Sequence, residues 1–373
     1  MYERAEARID LEALRHNCAR LRSLIGPGVE LCPVLKADGY GHGAAHCAPA
    51  AISAGSDRIA VATAREALQI RAVDAGVPIL VLGALAPGEV EVAVAAGADV
   101  SIWDPDFLAA VEGRAKTAGK VIGVHVKYDT GMGRLGNLDP EVVLALARSV
   151  SASPFLSLEA VWTHFATADE ADSTFMELQT ARLSELAGRV RAELPAIKVH
   201  AANSAALISD PATHFDLVRP GVAVYGMDPF GRDPARHDLR PVFSFHSYVA
   251  TVKRFEPGMS AGYGRTWTAS KPTTVVTVPV GYGDGVRRAL SNRGEVLIGG
   301  RRHPIAGTVS MDNITVEVGD GEVSVGDEVT LVGAQGSEAI TAEQVASVLD
   351  TINYEVTCGI SPRVPRRVTE APV

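Results

Sequence analysis

The sequence predicts an α/β protein, in which a (β/α)8 TIM barrel is followed by a smaller, mostly antiparallel β domain. Short β-rich runs recur at helix-sized intervals through the first 220 residues, and most of the segments between them have helical spacing. After about residue 235 this spacing fades. Eight strands alternating with helices predict a closed parallel barrel. An open doubly wound sheet is the competing fold, but it usually has fewer strands and a GxGxxG fingerprint, which follows no strand here.

The predicted barrel strands are apolar runs of five to nine residues, a length typical of buried strands. Segments rich in Ala, Leu and Glu, such as residues 64–71, separate most of them and are typical of helices. The eight predicted strands cover residues 31–36, 58–63, 78–83, 99–103, 121–129, 158–164, 198–203 and 215–219.

The remainder of the chain predicts the β domain. Turn residues (Gly, Pro and Asp) separate its β-rich runs, and a helix over residues 342–349 with Thr341 as N-cap interrupts them. We therefore place the barrel at residues 10–235 and the β domain at 236–373, which an N-terminal strand at residues 1–9 could join. The predicted β-rich runs are 243–252, 273–280, 295–298, 314–318 and 328–332.

Composition excludes several classes of protein. The chain has 373 residues, 47% of them hydrophobic, and a mean hydropathy of +0.12, so it should fold into a compact globule. The net charge of −9 and the lack of a long basic run argue against a nucleic-acid partner. The four cysteines show neither CxxC spacing nor histidines at metal-ligand intervals, so we expect reduced thiols and no metal site.

No uninterrupted apolar stretch approaches eighteen residues, so no membrane-spanning segment is expected. The N-terminal residues are charged and lack the apolar region of a secretion signal. The expected location is therefore the cytoplasm.

The barrel prediction also predicts where the chemistry lies. Active sites of such barrels lie at the carboxyl ends of the strands. Several polar residues end or directly follow a predicted strand, so they should converge on one rim. They are Lys36 at strand one, Arg134 at strand five, His164 at strand six, Ser204 at strand seven and Arg219 at strand eight.

Lys36 indicates which chemistry this rim supports. It ends an apolar run, and a small, Gly-rich loop with Tyr40 follows it. A desolvated lysine in this position suits a Schiff base with an aldehyde, and pyridoxal phosphate is such an aldehyde. Phosphate sites in these barrels commonly follow strands seven and eight, where Ser204 and Gly221 lie. On its own, Lys36 could equally be an ordinary surface lysine at a strand end.

Short motifs occur along most of the chain, at residues 34–43, 127–134, 163–165, 202–204, 218–221, 261–264, 280–284, 310–312 and 354–355. In the same order, they resemble the motifs of alanine racemases. The resemblance implies a pyridoxal 5'-phosphate enzyme of the fold-type III family, a homodimer with shared active sites that interconverts the small-molecule substrates L-alanine and D-alanine. The product would feed peptidoglycan synthesis.

The resemblance also assigns roles around the cofactor. Lys36 would hold it covalently and act as the base on one face of the substrate carbon. Arg219 would lie at the ring nitrogen, where a guanidinium that keeps its proton makes the ring a poorer electron sink, and His164 would fix Arg219 in place. The phosphate would be bound by Tyr40, Ser204, Gly221, Val222 and Tyr354.

The remaining assignments concern the substrate. Tyr263 of the partner subunit would be the second acid-base residue, and Arg134 would bind the substrate carboxylate. Lys127 resembles a family lysine that is carbamylated and orients that arginine, while Tyr282 and Met311 resemble substrate contacts. Ser310 departs from the family, which usually has Cys there, so inhibition by thiol reagents is in doubt.

Three other functions fit parts of the pattern. A racemase of broader specificity is the main alternative, although such enzymes often carry an export signal. A basic amino-acid decarboxylase shares the two-domain plan but should have acidic or Cys site residues in place of Gly262-Tyr263-Gly264. A non-catalytic pyridoxal phosphate carrier normally lacks the second domain.

Overall fold

The structure of the protein, a computed structural model, describes residues 3–369. Its first elements are strand β1 (Glu6–Asp10) and helix α1 (Leu11–Ser23). The side chain of Asp10 accepts a hydrogen bond from the backbone N–H of Ala13 and so caps α1. Residues 1–2 of the predicted N-terminal strand and residues 370–373 of the predicted β domain lie outside the described residues.

Eight parallel strands follow and form the predicted barrel. In space they run in the order β2, β9, β8, β7, β6, β5, β4 and β3, and a parallel bridge between Val34 and Ala60 joins the two ends of the sheet. Each overlaps a predicted strand, which confirms the barrel. The strands are β2 (Glu30–Leu31), β3 (Ile59–Val61), β4 (Ile79–Val81), β5 (Asp99–Ile102), β6 (Ile122–Lys127), β7 (Leu156–Trp162), β8 (Lys198–His200) and β9 (Leu217–Val218).

Helices alternate with these strands, and they begin where the sequence provides caps. Thr63 and Glu66 form a capping box, while Asp104 and Asp139 each cap a helix whose first residue is proline. The helices are α2 (Ala44–Ser53), α3 (Ala64–Val73), α4 (Val90–Ala96), α5 (Pro105–Ala118), α6 (Pro140–Ala152), α7 (Thr174–Glu193) and α8 (Ser204–Ser209).

The second domain is mostly antiparallel, as predicted. The predicted run 243–252 is two strands separated by Val249 and Ala250. The strands are β10 (Phe243–Tyr248), β11 (Thr251–Phe255), β12 (Ser260–Ala261), β13 (Trp267–Thr268), β14 (Thr273–Val278), β15 (Glu295–Ile298), β16 (Arg301–Pro304), β17 (Ile314–Gly319), β18 (Glu328–Gln335), β19 (Glu338–Ile340) and β20 (Arg366–Thr369).

The main sheet of this domain includes both ends of the described chain. Its order is β16, β15, β18, β10, β1 and β20, with β19 paired to β18. The first strand, β1, is antiparallel to β10 and parallel to β20. A second sheet has the order β11, β14, β17, and β12 forms a hairpin with β13.

Two helices complete the second domain, α9 (Ala342–Leu349) and α10 (Asn353–Cys358). Thr341 caps α9 in a capping box with Gln344, which confirms both the predicted helix and its predicted N-cap. The short helix α10 is important for the site, because it packs against the segment after Lys36. Within residues 3–369, no helix combines the length and the apolar character that crossing a membrane requires.

Candidate active site

A cavity of about 470 Å³ opens at the carboxyl ends of the barrel strands. Ten of the predicted site residues line it, and the barrel and α10 both contribute to its wall. These residues are Lys36, Tyr40, Lys127, Arg134, His164, Ser204, Arg219, Gly221, Val222 and Tyr354.

The segment after Lys36 is a single left-handed turn. Residues 37–40 have φ between 52° and 63°, although only Gly39 lacks a side chain. Residues other than glycine seldom adopt this conformation, which costs about 1–3 kcal/mol each and is concentrated at functional sites. The turn brings Tyr40 back over the rim, where its ring centroid lies 5.9 Å from Lys36 Nζ.

Glu66 holds this turn in place. One of its carboxylate oxygens accepts a hydrogen bond of 2.7 Å from the backbone N–H of Ala37. The other accepts hydrogen bonds of 2.8 Å from Ala62 N and 3.0 Å from Thr63 N. Charge-assisted bonds of this kind can offset the conformational cost of the turn. The sequence analysis missed Glu66, although its position in a capping box after strand β3 was a readable signal.

One end of the cavity is built from backbone amides and hydroxyls. The N–H of Gly221 donates to Ser204 Oγ at 2.9 Å, and a Cβ atom on Gly221 would lie only 2.3 Å from the Tyr40 hydroxyl. A larger residue at this position would displace the Tyr40 hydroxyl. Burial raises the pKa of the Tyr40 and Tyr354 hydroxyls, so both stay protonated and can donate to an anion. This end of the cavity fits a phosphate group.

Arg219 lies deeper in the cavity and is almost fully buried. Its Nη2 donates to the carbonyl oxygens of Thr163 at 2.9 Å and Ala201 at 2.8 Å, and its Nη1 contacts His200 Nδ1. Its Nε forms no hydrogen bond with any described residue. Burial lowers the pKa of Arg219 to about 10, which leaves the guanidinium protonated near neutral pH. Arg219 can thus present one unused N–H to a ligand in the cavity.

Two histidines lie near Arg219. The predicted partner, His164, has its Nδ1 3.5 Å from Arg219 Nη2, whereas the contact with His200 is about 1 Å shorter. Burial, followed by the charge of Arg219, holds the pKa of both imidazoles well below the usual value, so both are neutral. The sequence analysis missed His200, which lies inside a predicted strand where a histidine gives no separate signal.

Trp162, at the end of β7, lies close to two basic side chains. Lys127 Nζ is 4.3 Å and Arg219 Cζ is 4.7 Å from the centre of its ring system. Cations at this distance from an indole are stabilised by its negative face. This residue was also missed, because an aromatic residue at the end of a buried strand is typical of core packing.

Lys127 is the most unusual cation of the site. Its side chain is buried, with the residue only 2% exposed, and it forms no ion pair within residues 3–369. Burial, followed by the charges of Arg219 and Arg134, lowers its pKa to about 7. A large fraction of Lys127 is therefore an uncharged, nucleophilic amine near neutral pH.

Lys36 and Arg134 are likewise without a carboxylate partner in the described part of the chain. Burial and then the charge of Arg134 lower the pKa of the Lys36 amine. The loop that carries Arg134 is held by Asp129, whose carboxylate accepts hydrogen bonds from Gly131 N and Gly133 N at 2.9 and 3.1 Å. The site thus has an excess of positive charge that fits an anionic ligand.

Three predicted site residues do not line this cavity. Tyr263, Tyr282 and Met311 lie on the surface of the second domain, with exposed fractions of 74%, 45% and 52%. Hydrogen bonds link the backbone of these residues to the segment 308–311, because Tyr282 N donates to Ser310 O and Thr308 Oγ1 donates to Tyr263 O, each at 2.9 Å. We call these three residues the exposed patch.

Salt bridges and a turn stabilise this exposed patch. The buried carboxylate of Asp284 pairs with Arg4 and Arg363, and Arg363 also pairs with Asp312, next to Met311. Ser310 donates to Asn313 O at 2.7 Å and accepts from Asn313 N at 3.1 Å. A thiol would form weaker hydrogen bonds at this position, so serine has a structural role here.

Comparison with known proteins agrees with this geometry. Residues 9–229 match the alanine racemase N-terminal domain model, and residues 242–368 match the C-terminal domain model. Over 366 residues the chain is 44% identical to an alanine racemase of Symbiobacterium thermophilum, covering 96% of each chain.

Solved structures of alanine racemases are also similar. The Streptomyces coelicolor A3(2) structure is 38% identical, with a TM-score of 0.93 over 98% of each chain. The structure from the D-cycloserine-producing Streptomyces lavendulae is 34% identical, with a TM-score of 0.93, and the match covers 100% of this chain and 98% of that one.

Proposed function

The chain belongs to the alanine racemase family and is an amino-acid racemase, and from this premise we propose that it interconverts L-alanine and D-alanine with pyridoxal 5'-phosphate and two bases. The observation that carries this proposal is the convergence of Lys36, Arg219 and Arg134 on one cavity, each without a carboxylate partner among the described residues. A phosphate-sized cradle of amides and hydroxyls lies in the same cavity. These groups match the aldehyde, ring nitrogen and phosphate of the cofactor and the carboxylate of the substrate.

In this proposal each part of the cofactor has a defined partner. Lys36 would hold the aldehyde carbon covalently, and Arg219 would donate to the ring nitrogen without giving up its proton. When bound, the cofactor withdraws electrons from the substrate α-carbon and so acidifies its proton. The residues that would bind its phosphate are Tyr40, Ser204, Gly221, Val222 and Tyr354.

Two bases on opposite faces are what inversion at the α-carbon requires. The Lys36 amine serves one face, and the lowered pKa of this amine favours the neutral form that can accept a proton. The partner subunit's Tyr263 serves the other face, which accounts for an exposed tyrosine on this chain. Arg134 orients the substrate through its carboxylate, and His164 supports Arg219.

This arrangement requires a homodimer, with the exposed patch of each subunit at the mouth of the other subunit's cavity. Tyr282 and Met311 would then contact the substrate or its entry path. We further propose that residues 10–235 and 236–373 are the two structural domains, with the N-terminal strand added to the second. The enzyme would act in the cytoplasm, and its D-alanine would supply peptidoglycan synthesis.

We expect the purified protein to bind pyridoxal 5'-phosphate and to racemise alanine. Borohydride reduction followed by peptide mapping should place the pyridoxyl group on Lys36. Attachment to another lysine would contradict the proposed site. A panel of L-amino acids tests substrate breadth, because racemisation of basic side chains at rates comparable to alanine would favour the broader-specificity alternative.

We also propose that Lys127 is carbamylated. Its neutral amine can attack carbon dioxide and release a proton, and the resulting anion would lie between Arg134 and Arg219, where it would neutralise part of the excess positive charge. Such a carbamate would hold Arg134 in its binding position.

Replacement of Lys127 tests this proposal. Lys127→Ala should raise the KM for alanine and lower kcat, and a small carboxylate such as formate should partly restore both by taking the carbamate's place. Lys116→Ala, which changes an exposed lysine on α5, should have wild-type kinetics and no response to formate. A high-resolution crystal structure at neutral pH should show density beyond Nζ, and an unmodified amine there would refute the carbamate.

A further inference from the structure

A row of polar side chains, buried except for the partly exposed Asp99, runs through the barrel from Arg219 to its opposite end. Arg219 Nη1 contacts His200 Nδ1, and His200 Nε2 lies 2.8 Å from His125 Nδ1. His125 Nε2 lies 3.5 Å from Asp99 Oδ2. Arg219 directly follows β9, whereas Asp99 is the first residue of β5, so the row spans the barrel along its strands. We call these four residues the barrel row.

Only one arrangement of protons satisfies these contacts. A guanidinium can only donate, so His200 Nδ1 must accept and its proton must lie on Nε2. His200 Nε2–H then donates to His125 Nδ1, which leaves the proton of His125 on Nε2, 3.5 Å from the Asp99 carboxylate. A doubly protonated His125 does not fit, because His200 would then have to accept at both nitrogens.

The charges of both imidazoles agree with this arrangement. Burial lowers the pKa of His125 and holds that of His200 well below its usual value, so both rings are neutral. A neutral imidazole has one donor and one acceptor nitrogen, which is what the barrel row requires of each ring. The row therefore links a cation at the cavity to an anion at the far end of the barrel through two uncharged rings.

The residues around Asp99 leave space for its carboxylate and pair with it. A Cβ atom on Gly123 of β6 would lie 2.0 Å from Asp99 Oδ1, so the glycine leaves the space that the carboxylate fills. Arg58 Nη1 pairs with Asp99 Oδ2, and Arg58 Nε lies 3.7 Å from Glu30. Lys198 pairs with the other oxygen of Glu30.

Arg219 is a buried cation and needs a negative counter-charge. It is 3% exposed, no carboxylate of the described chain contacts it, and Lys36 and Arg134 are further cations of the cavity. A buried charge without a partner is costly unless hydrogen bonds and an opposite charge stabilise it. Within the described chain, the barrel row joins Arg219 to a carboxylate through two hydrogen-bond contacts and the 3.5 Å charge contact between His125 and Asp99.

We propose that Asp99 and His125 are positioning residues for Arg219, which they hold in place through His200. The Asp99 carboxylate, 3.5 Å from His125 Nε2, favours a proton on that nitrogen and so supports the tautomers in which His200 offers only a lone pair to Arg219. Arg219 Nη1 is thereby occupied, and its Nε is left for the ring nitrogen of the cofactor. The role of Arg219 toward that nitrogen rests on the proposed function, whereas the proton arrangement does not.

Neutron diffraction of the protein tests the proton arrangement directly. We expect hydrogen on Nε2 and none on Nδ1 in both His125 and His200 near neutral pH. Hydrogen on Nδ1 of either ring would overturn the proposal. This result does not depend on whether the protein racemises alanine, so failure of the barrel row and failure of the proposed function can be told apart.

Two variants test the coupling to the cavity. Asp99→Asn removes the charge at nearly constant shape, and Gly123→Ala displaces the carboxylate while Asp99 itself is unchanged. Each should weaken the affinity of the cofactor-free protein for pyridoxal 5'-phosphate by about ten-fold, the lower end of what loss of an outer hydrogen-bond partner costs at metal sites. In Asp99→Asn, neutron diffraction should also show a less ordered Arg219 side chain.

Glu30→Gln is the matched control, since Glu30 belongs to the same end of the barrel but contacts neither histidine. It should keep wild-type affinity for the cofactor. Wild-type affinity in both Asp99→Asn and Gly123→Ala would overturn the coupling. An equal loss of cofactor affinity in Glu30→Gln would also overturn the coupling, because the effect would then come from general damage to this end of the barrel. If either Asp99→Asn or Gly123→Ala fails to fold, the cofactor affinity of the other variant tests the coupling.

Discussion

Mixed subunits carrying Lys36→Ala and Tyr263→Phe should recover about a quarter of wild-type activity, although each variant alone should lose about 10²–10⁴-fold, the contribution of one acid-base group. After random exchange, about half of the dimers are hybrids. In each hybrid one site collects both substitutions, and the other has the intact Lys36 of one subunit and the intact Tyr263 of its partner.

The physical reason for this result is the position of the two residues. Lys36 lines the barrel cavity, whereas Tyr263 belongs to the exposed patch and does not line the cavity of its own chain. Tyr248→Phe, another tyrosine of the second domain, is the control and should be fully active alone and in mixtures. If exchange is verified by mass spectrometry of tagged subunits and no activity returns, both bases belong to the same subunit.

Replacing Arg134 should abolish recognition of the substrate carboxylate. Arg134→Ala should lower kcat/KM for alanine by about 10²-fold or more, because two charge-assisted hydrogen bonds of about 1.5–3 kcal/mol each are lost. Arg134→Lys keeps the charge but loses the planar fork, so its loss should be intermediate. The measurement is steady-state racemisation by both variants.

Proton exchange of alaninamide, which has no carboxylate, provides a second readout. The exchange rate of alaninamide should be low in the wild type and change little in Arg134→Ala. The preference for alanine over alaninamide should therefore largely disappear in this variant. Arg65→Ala, at an exposed arginine on α3, should leave both substrates unaffected. An Arg134→Ala enzyme that still prefers alanine by the wild-type ratio would show that another group binds the carboxylate.

The barrel could be predicted because its signals are local. Each strand is an apolar run, and each helix between them has its own spacing and caps. Strands β12, β13, β16, β19 and β20 were missed because they are short or rich in charge, and the pairing of β20 depends on β1 at the other end of the described chain. The left-handed turn at residues 37–40 was described only as a loop, since Ala37 and Asp38 do not favour that conformation.

The candidate site was partly predictable for a related reason. Topology alone places residues that follow parallel strands on one rim, so the convergence of Lys36, Arg134 and Arg219 could be predicted from their spacing. The site roles of His200 and Trp162 could not be predicted, because a histidine or tryptophan within a buried strand has the same local sequence pattern whether it packs in the core or binds a ligand. Which cavity Tyr263 reaches depends on the arrangement of two subunits, which a single sequence does not contain.

The pairing of β1 with β10 and β20 has a consequence for synthesis on the ribosome. The barrel closes through β2, β3 and β9, all made before residue 220, so it can form while the chain is still growing. β1 can pair with β10 only after residues 243–248 are synthesised, roughly 12–50 s later at 5–20 residues per second. Its other edge can pair with β20 only after residues 366–369 are synthesised. Until then a strand with unpaired backbone groups is exposed, which makes the nascent chain a natural client for a chaperone.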